Sequence, residues 1–210
     1  MRLSTGFTAL ALALVAVCTV SAQQLNQQSG SEFAVSIGAL SGNNPNVPSG
    51  ALVLGSSPAF EANYGRKFND KQKWASLYWE INALVSPFRH LSGVPASATS
   101  DVRSVFVTPG VRLEFAQQER ITPWIDGGAG YAFYDTSGTS IAGGQTATPG
   151  NANTYAVEFG AGVDIVASKK YVIRGGVQGF YTGDPNYGVA ATGGQFNFVV
   201  SGGIVWRLGK

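Results

Sequence analysis

The chain has 210 residues, enough for one domain with its own core. Its 28 glycines are about twice the ordinary share, while charged residues make up 12% against a usual ~25%, too few for the solvated surface of an ordinary soluble domain. A formal net charge of +2 with no basic cluster argues against a nucleic-acid partner.

The first element in chain order is an expected export signal over residues 1–22. Arg2 supplies a positive start, Phe7 to Val20 form a compact apolar run, and Val20-Ser21-Ala22 has the small-residue pattern of a cleavage site. The run is too short for a transmembrane helix. The single cysteine, Cys18, lies inside it, and Val17 before it is bulkier than a lipoprotein acylation site takes. Cleavage after Ala22 is expected to leave a domain over 23–210 that lacks cysteine, and hence disulfides.

Eight segments with period-two alternation follow, over 31–40, 57–66, 73–86, 101–116, 121–135, 153–167, 171–182 and 195–208. The second is expected to extend back through Leu52 and Leu54, which share the parity of Phe60. In the fourth, Pro109 forfeits a ladder hydrogen bond, so a bulge or a shifted register is expected at Thr108-Pro109-Gly110. In the fifth, ITPWIDGGAGYAFYD, Asp126 and the glycines would suit a soluble core poorly. The expectation is that Gly128 and Gly130 leave room for neighbours' long side chains and that Asp126 has arginines within reach.

Connection lengths alternate. KFNDKQ, QQER and SKK are short charged turns, whereas four long connections rich in Gly, Ser, Pro, Asn and Thr lie at the opposite end. Even strand number with loops sorted this way is the layout of an outer-membrane barrel. Along every segment one face is apolar, as in Tyr155, Val157, Phe159, Ala161, Val163 and Ile165. The other carries Glu61, Glu80, Arg112, Glu114, Asp126, Glu158, Asp164, Arg174 and Arg207, with Asn63, Ser76, Asn82, Thr108, Gln178, Asn197 and Ser201. A soluble barrel buries the apolar face; a membrane barrel buries the polar one.

Aromatic placement distinguishes the two. Tyr64, Phe115, Tyr171 and Trp206 mark the short-turn ends of their strands, and Phe60, Phe133, Tyr155, Tyr181 and Phe196 the long-loop ends. Tyr171 and Tyr181 are ten residues apart, as are Phe196 and Trp206. At ~3.4 Å per residue and a tilt of ~40°, that spacing spans about 26 Å, the height of the lipid-facing band between two aromatic girdles. The expected architecture is therefore an all-β, eight-stranded antiparallel up-and-down transmembrane barrel. Its polar face becomes a lumen in which buried charges must pair.

The alternating strands and the glycine-aromatic motifs WIDGGAGYAFY and VEFGAGVDI resemble the OmpA/OmpX-type, porin-like outer-membrane β-barrels of Gram-negative-type bacteria. The resemblance covers the whole chain after the signal. It implies an outer-membrane protein of the cell envelope with both termini periplasmic, in contact with outer-membrane lipids and lipopolysaccharide. It also implies the insertion machinery as a partner during biogenesis and a monomer with long loops exposed to surface ligands. Such barrels usually finish on an aromatic residue, whereas this chain ends IVWRLGK, with Leu208 at that parity and Trp206 nearby. Eight strands leave an interior that side chains fill, here with Tyr78, Phe106, Trp124, Tyr134 and Phe180, so a wide pore is not expected.

Chemistry is sparse. His90, the only histidine, is expected in the second long connection, where His90 and Ser92 make a His-x-Ser unlike the fuller His-x-Ser-Asn of lipid A deacylases. No Cys/His cluster or helix-opening glycine loop is present, so neither a metal site nor a cofactor is expected. The leading expectation is a non-enzymatic barrel with an envelope-structural or surface-interaction role. The alternatives are a barrel enzyme acting on lipid A or phospholipid, a narrow ion-conducting channel, and a soluble lipocalin-like barrel.

Overall fold

The structure, a computed structural model, describes residues 30–43, 46–47, 50–51, 53–68, 75–92, 99–116, 119–140, 152–183 and 194–208. The expected export signal and the trailing Gly209-Lys210 lie outside these residues. Eight long strands are formed: β1 (Ser31–Gly42), β2 (Ser57–Lys67), β3 (Ala75–Ser92), β4 (Thr99–Phe115), β5 (Ile121–Ser140), β6 (Ala152–Val166), β7 (Tyr171–Thr182) and β8 (Gln195–Leu208). Each pairs antiparallel with its neighbours in sequence, and β1 also pairs with β8, which closes the sheet into a barrel. Closure removes every strand edge from the membrane zone, where an unpaired backbone group would cost several kcal/mol.

The register fixes the barrel's dimensions. Following directly paired residues from Ser31 leads through Arg66, Trp79, Val111, Gly127, Phe159, Gly179 and Phe198, and returns to β1 at Ser41, ten residues along. With ~3.3 Å per residue and ~4.8 Å between strands, that offset tilts eight strands by about 41° and gives a radius of about 8 Å. A tube that narrow holds side chains and little else.

Burial runs opposite to a soluble protein's. Ile37 (61% exposed), Tyr131 (64%), Phe159, Ile173, Val200 and Ile204 lie on the outside, while Glu80, Arg112, Glu158, Asp164 and Arg174 are buried inside. A contiguous apolar exterior on this scale marks a surface built for hydrocarbon. All nine girdle aromatics lie on this outer face. At the short-turn end Tyr64, Phe33, Trp206 and Tyr171 are direct partners in one row across β2, β1, β8 and β7, and Phe33 stacks on Trp206 at 6.2 Å. At the other end Tyr155 and Tyr181 meet at 6.4 Å.

Three local expectations are corrected. First, the register runs unbroken past Pro109: Val107 pairs with Tyr131 and Gly110 with Gly128, three residues apart on each strand, and no bulge forms. The ladder to β5 simply omits Thr108 and Pro109, because proline has no N–H to give. The barrel tolerates this because the glycines of β5 let β4 approach closely. A Cβ at Gly128 would lie 2.8 Å from the Pro109 carbonyl oxygen, and one at Gly130 would strike that of Val107. These glycines thus admit a neighbouring backbone rather than long side chains.

Second, β2 begins at Ser57 rather than running back through Leu54, and Leu52 lies outside the described residues. Val53–Leu54 form a separate short strand that pairs with Ser92 and Leu91 at the end of β3. Third, β3, β4 and β5 run further toward the long connections than expected, β4 and β5 through hydroxyl-rich sequence that can stay paired with no apolar face to maintain, and β3 through Pro87 to Ser92. A bulge in β3 accompanies the extension: Ser86 pairs with Ser104 but Arg89 with Val102, so one extra residue is inserted at Pro87-Phe88.

Short turns join strands at the opposite end. In the turn between β6 and β7 the Ser168 hydroxyl accepts from the Lys170 and Tyr171 amides at 3.3 and 3.1 Å. Ala116, at the end of β4, takes a left-handed φ of 53° and accepts from the Glu119 amide at 2.9 Å.

Candidate functional site in the barrel lumen

Strand alternation delivers the inward side chains, and tilt stacks them into layers. The layer nearer the short turns is ionic. Arg112 of β4, 1% exposed, donates to Glu80 at 3.0 Å, to Glu114 at 2.6 Å and to Glu32, with Asp164 3.6 Å away. Arg174 of β7 holds Asp164 through Nε and Nη2 at 2.8 and 2.7 Å, and reaches Glu32 at 2.9 Å. Two guanidinium forks thus share four carboxylates from β1, β3, β4 and β6, tying the walls across the lumen. Buried charge is tolerated only when paired and hydrogen-bonded in this way.

Aromatic rings close the same layer. The Arg112 guanidinium lies 4.8 Å above the Tyr78 ring, and that of Arg174 lies 5.6 Å from the Trp124 ring. Trp124 donates its indole N–H to Asp164 at 3.1 Å. Its ring occupies space left by Gly162 and Gly176; a Cβ on Gly176 would lie 2.7 Å from it. These glycines are the ones that give room to a long lumen side chain, and Gly160 does the same for Asp126.

Midway up, the chemistry changes. Glu158 is bonded only by neutral groups: Asn82 at 2.5 Å, Gln178 at 3.1 Å and Thr108. Glu61 accepts from Gln178 at 2.9 Å and Ser201 at 3.3 Å. Asp126 is the direct strand partner of Arg112, yet the guanidinium is turned toward Glu80 and Glu114, and Asp126 Oδ1 is buried without a hydrogen-bond partner. Arg112 is thus within reach of Asp126, as expected, but forms no ion pair with it. Arg207 joins no ion pair among the described residues, and its Nη1 is likewise buried without a partner.

Toward the loops a hydrophobic layer seals the tube. Phe106 packs against Phe180 at 5.0 Å and edge-on to Tyr134 at 5.8 Å, among Leu40, Leu84, Val102 and Val199. Tyr134 and Thr182 share a hydrogen bond of 3.1 Å. Here Arg89, fully buried, donates to the Gly55 carbonyl at 2.9 Å and to Asn197 at 2.6 Å.

Two charged lumen residues escaped the sequence reading. Glu32 has the inward parity of Ala34 and was open to detection. Arg89 was not, because the bulge at Pro87-Phe88 reverses parity and turns Arg89 in and Phe88 out. His90 lies on the extended β3 rather than in a loop; exposed, it pairs with Asp101 of β4 at 3.3 Å. Among the described residues no group of three or more His, Cys, Asp or Glu side chains is placed to hold a metal ion.

Fold and lumen together define the class: a closed eight-stranded antiparallel transmembrane β-barrel with a polar, filled interior. The same fold appears in solved outer-membrane proteins. Neisserial surface protein A is similar with a TM-score of 0.56 at 11% identity, over 86% of this chain and 98% of that one. The outer membrane protein OprG from Pseudomonas aeruginosa is similar with a TM-score of 0.52 at 10% identity, over 89% and 100%. The barrel expected from the OmpA/OmpX-type resemblance is the fold observed. No protein-family model and no curated protein matches the sequence.

Proposed function

We propose that the protein is a non-enzymatic, monomeric barrel of the bacterial outer membrane that contributes to envelope structure or presents its loops for surface contact. The observation that carries this reading is the filled lumen. The ion-paired layer of Arg112 and Arg174 and the ring layer of Phe106, Tyr134 and Phe180 block the tube in series. An interior so filled supports fixed structure and surface display over general diffusion. The aromatic girdles suit the lipid and lipopolysaccharide interfaces. With an even strand number, both termini share the short-turn side, which the layout of outer-membrane barrels assigns to the periplasm.

Planar-bilayer recording of the refolded protein tests the plug: the expected result is no large, steady conductance, and a wide-pore conductance refutes the reading. Fractionation with a heat-dependent gel shift tests the location; a detergent-independent periplasmic protein refutes it. The absence of enzymatic activity is tested at His90, since a change in envelope lipid profile on His90→Ala would favour the enzyme alternative.

A further inference from the structure

The inward charges do not balance. Among the described residues seven inward positions carry carboxylates, Glu32, Glu61, Glu80, Glu114, Asp126, Glu158 and Asp164, against five cations, Lys67, Arg89, Arg112, Arg174 and Arg207. Arg112 and Arg174 are engaged by Glu32, Glu80, Glu114 and Asp164. That leaves Glu61, Asp126 and Glu158, all midway up the barrel, in no ion pair among the described residues. A buried anion with no cation beside it costs several kcal/mol.

A second, independent feature lies in the same layer. Asn82 and Gln178, 1% and 4% exposed, each donate to Glu158 through their amide nitrogens, yet Asn82 Oδ1 and Gln178 Oε1 are buried with no partner. Each orphan oxygen therefore lies within the width of one amide of the Glu158 contact. Asp126 Oδ1 is a third buried acceptor without a donor. Buried acceptors in native proteins are nearly always satisfied, so a layer with three orphans and three unpaired carboxylates lacks a positive group. Glu61, Asp126 and Ser201 are only half-buried although they face inward.

We propose that this mid-lumen layer binds a hydrated hard divalent cation of the magnesium or calcium class. Its acceptors are all oxygen, from carboxylates, side-chain amides and the Thr108 and Ser201 hydroxyls, the set such ions take. The carboxylates do not converge as a group of three, which fits an ion that keeps several waters and is held by one or two carboxylates, as magnesium characteristically is. Water alone would satisfy the amide oxygens but would not offset the charge. The proposal stands apart from the envelope role, because a plugged barrel can carry a bound ion whatever its loops contact.

Calorimetric titration of the full chain, refolded in detergent, with magnesium chloride or calcium chloride tests it. Wild type is expected to take up about one ion per barrel saturably, and the Asp126→Asn/Glu158→Gln variant to bind about 10-fold more weakly or worse. The variant removes unpaired buried charge and should keep its heat-dependent gel shift. Glu119→Gln, in the exposed turn before β5, is expected to bind as wild type does. Should the double variant not fold, manganese replaces magnesium on wild type. Its paramagnetism is expected to broaden the indole signal of Trp124, which shares the inward face of β5 with Asp126, more than that of outward Trp206. No saturable uptake, uptake of protons only, wild-type affinity in the folded double variant, loss of binding in Glu119→Gln, or equal broadening of both indoles would each overturn the proposal.

Discussion

Replacing Arg112 by methionine isolates the ionic layer. Methionine keeps much of the apolar stem that packs on Tyr78 but removes the fork. Glu80 loses its bond at 3.0 Å and Glu114 its bond at 2.6 Å, leaving Glu114 only the distant Arg174 at 3.9 Å. Glu32 keeps Arg174 at 2.9 Å. Stranding buried carboxylates in this way costs ~3–5 kcal/mol. With a urea dependence of roughly 2–3 kcal/mol per molar for a chain this long, the unfolding midpoint should fall by about 1–2.5 M. The assay is urea unfolding in phospholipid vesicles, followed by tryptophan fluorescence and by gel mobility. Adding Glu80→Gln and Glu114→Gln to the Arg112→Met background neutralises the stranded groups and should restore more than half of the loss. A fall below about 0.3 M for the single variant, or no recovery in the triple, would show that the cluster is not what holds this layer.

Gly176→Ala places a methyl against the Trp124 ring and is expected to cost ~1–3 kcal/mol by overpacking; Trp124→Leu in the same chain should recover most of it, read as paired midpoints in urea. Val200→Arg puts a charge near the middle of the outer face of β8 and should destabilise the barrel in vesicles by ~2–4 kcal/mol, whereas an unchanged midpoint would argue for a water-facing exterior. Phe106→Ala opens the ring layer beside Phe180 and should cost ~3–5 kcal/mol, while the ionic layer below still denies the barrel a wide-pore conductance in a planar bilayer.

Much of the fold is legible along the chain because alternation is a local property. Tyr155 to Ile165 on one face and Glu158 and Asp164 on the other already state that two environments exist. The spacing of Tyr171 from Tyr181 states which of them is lipid. The bounds of β7 and β8 were read to the residue, since turn residues flank both. Where reading by parity failed, the cause was also local: the Pro87-Phe88 bulge reversed the faces, hid Arg89 and interrupted the alternation of β3, and the hydroxyl-rich end of β5 gave no pattern from which to extend it.

The chain alone determined that acids and arginines share an interior, because a strand assigns each side chain to a face through its period of two. Tertiary structure alone decided which of them meet. The ten-residue offset around the barrel sets the height of every inward group, so Arg112 is carried to Glu32 of β1 and Glu80 of β3 rather than to its strand partner Asp126. The same offset decides what each glycine is for. Gly128 and Gly130 admit the backbone of β4, while Gly162 and Gly176 admit the Trp124 ring. Contacts across a closed sheet depend on tilt and register summed over eight strands, and no single stretch of sequence contains that sum.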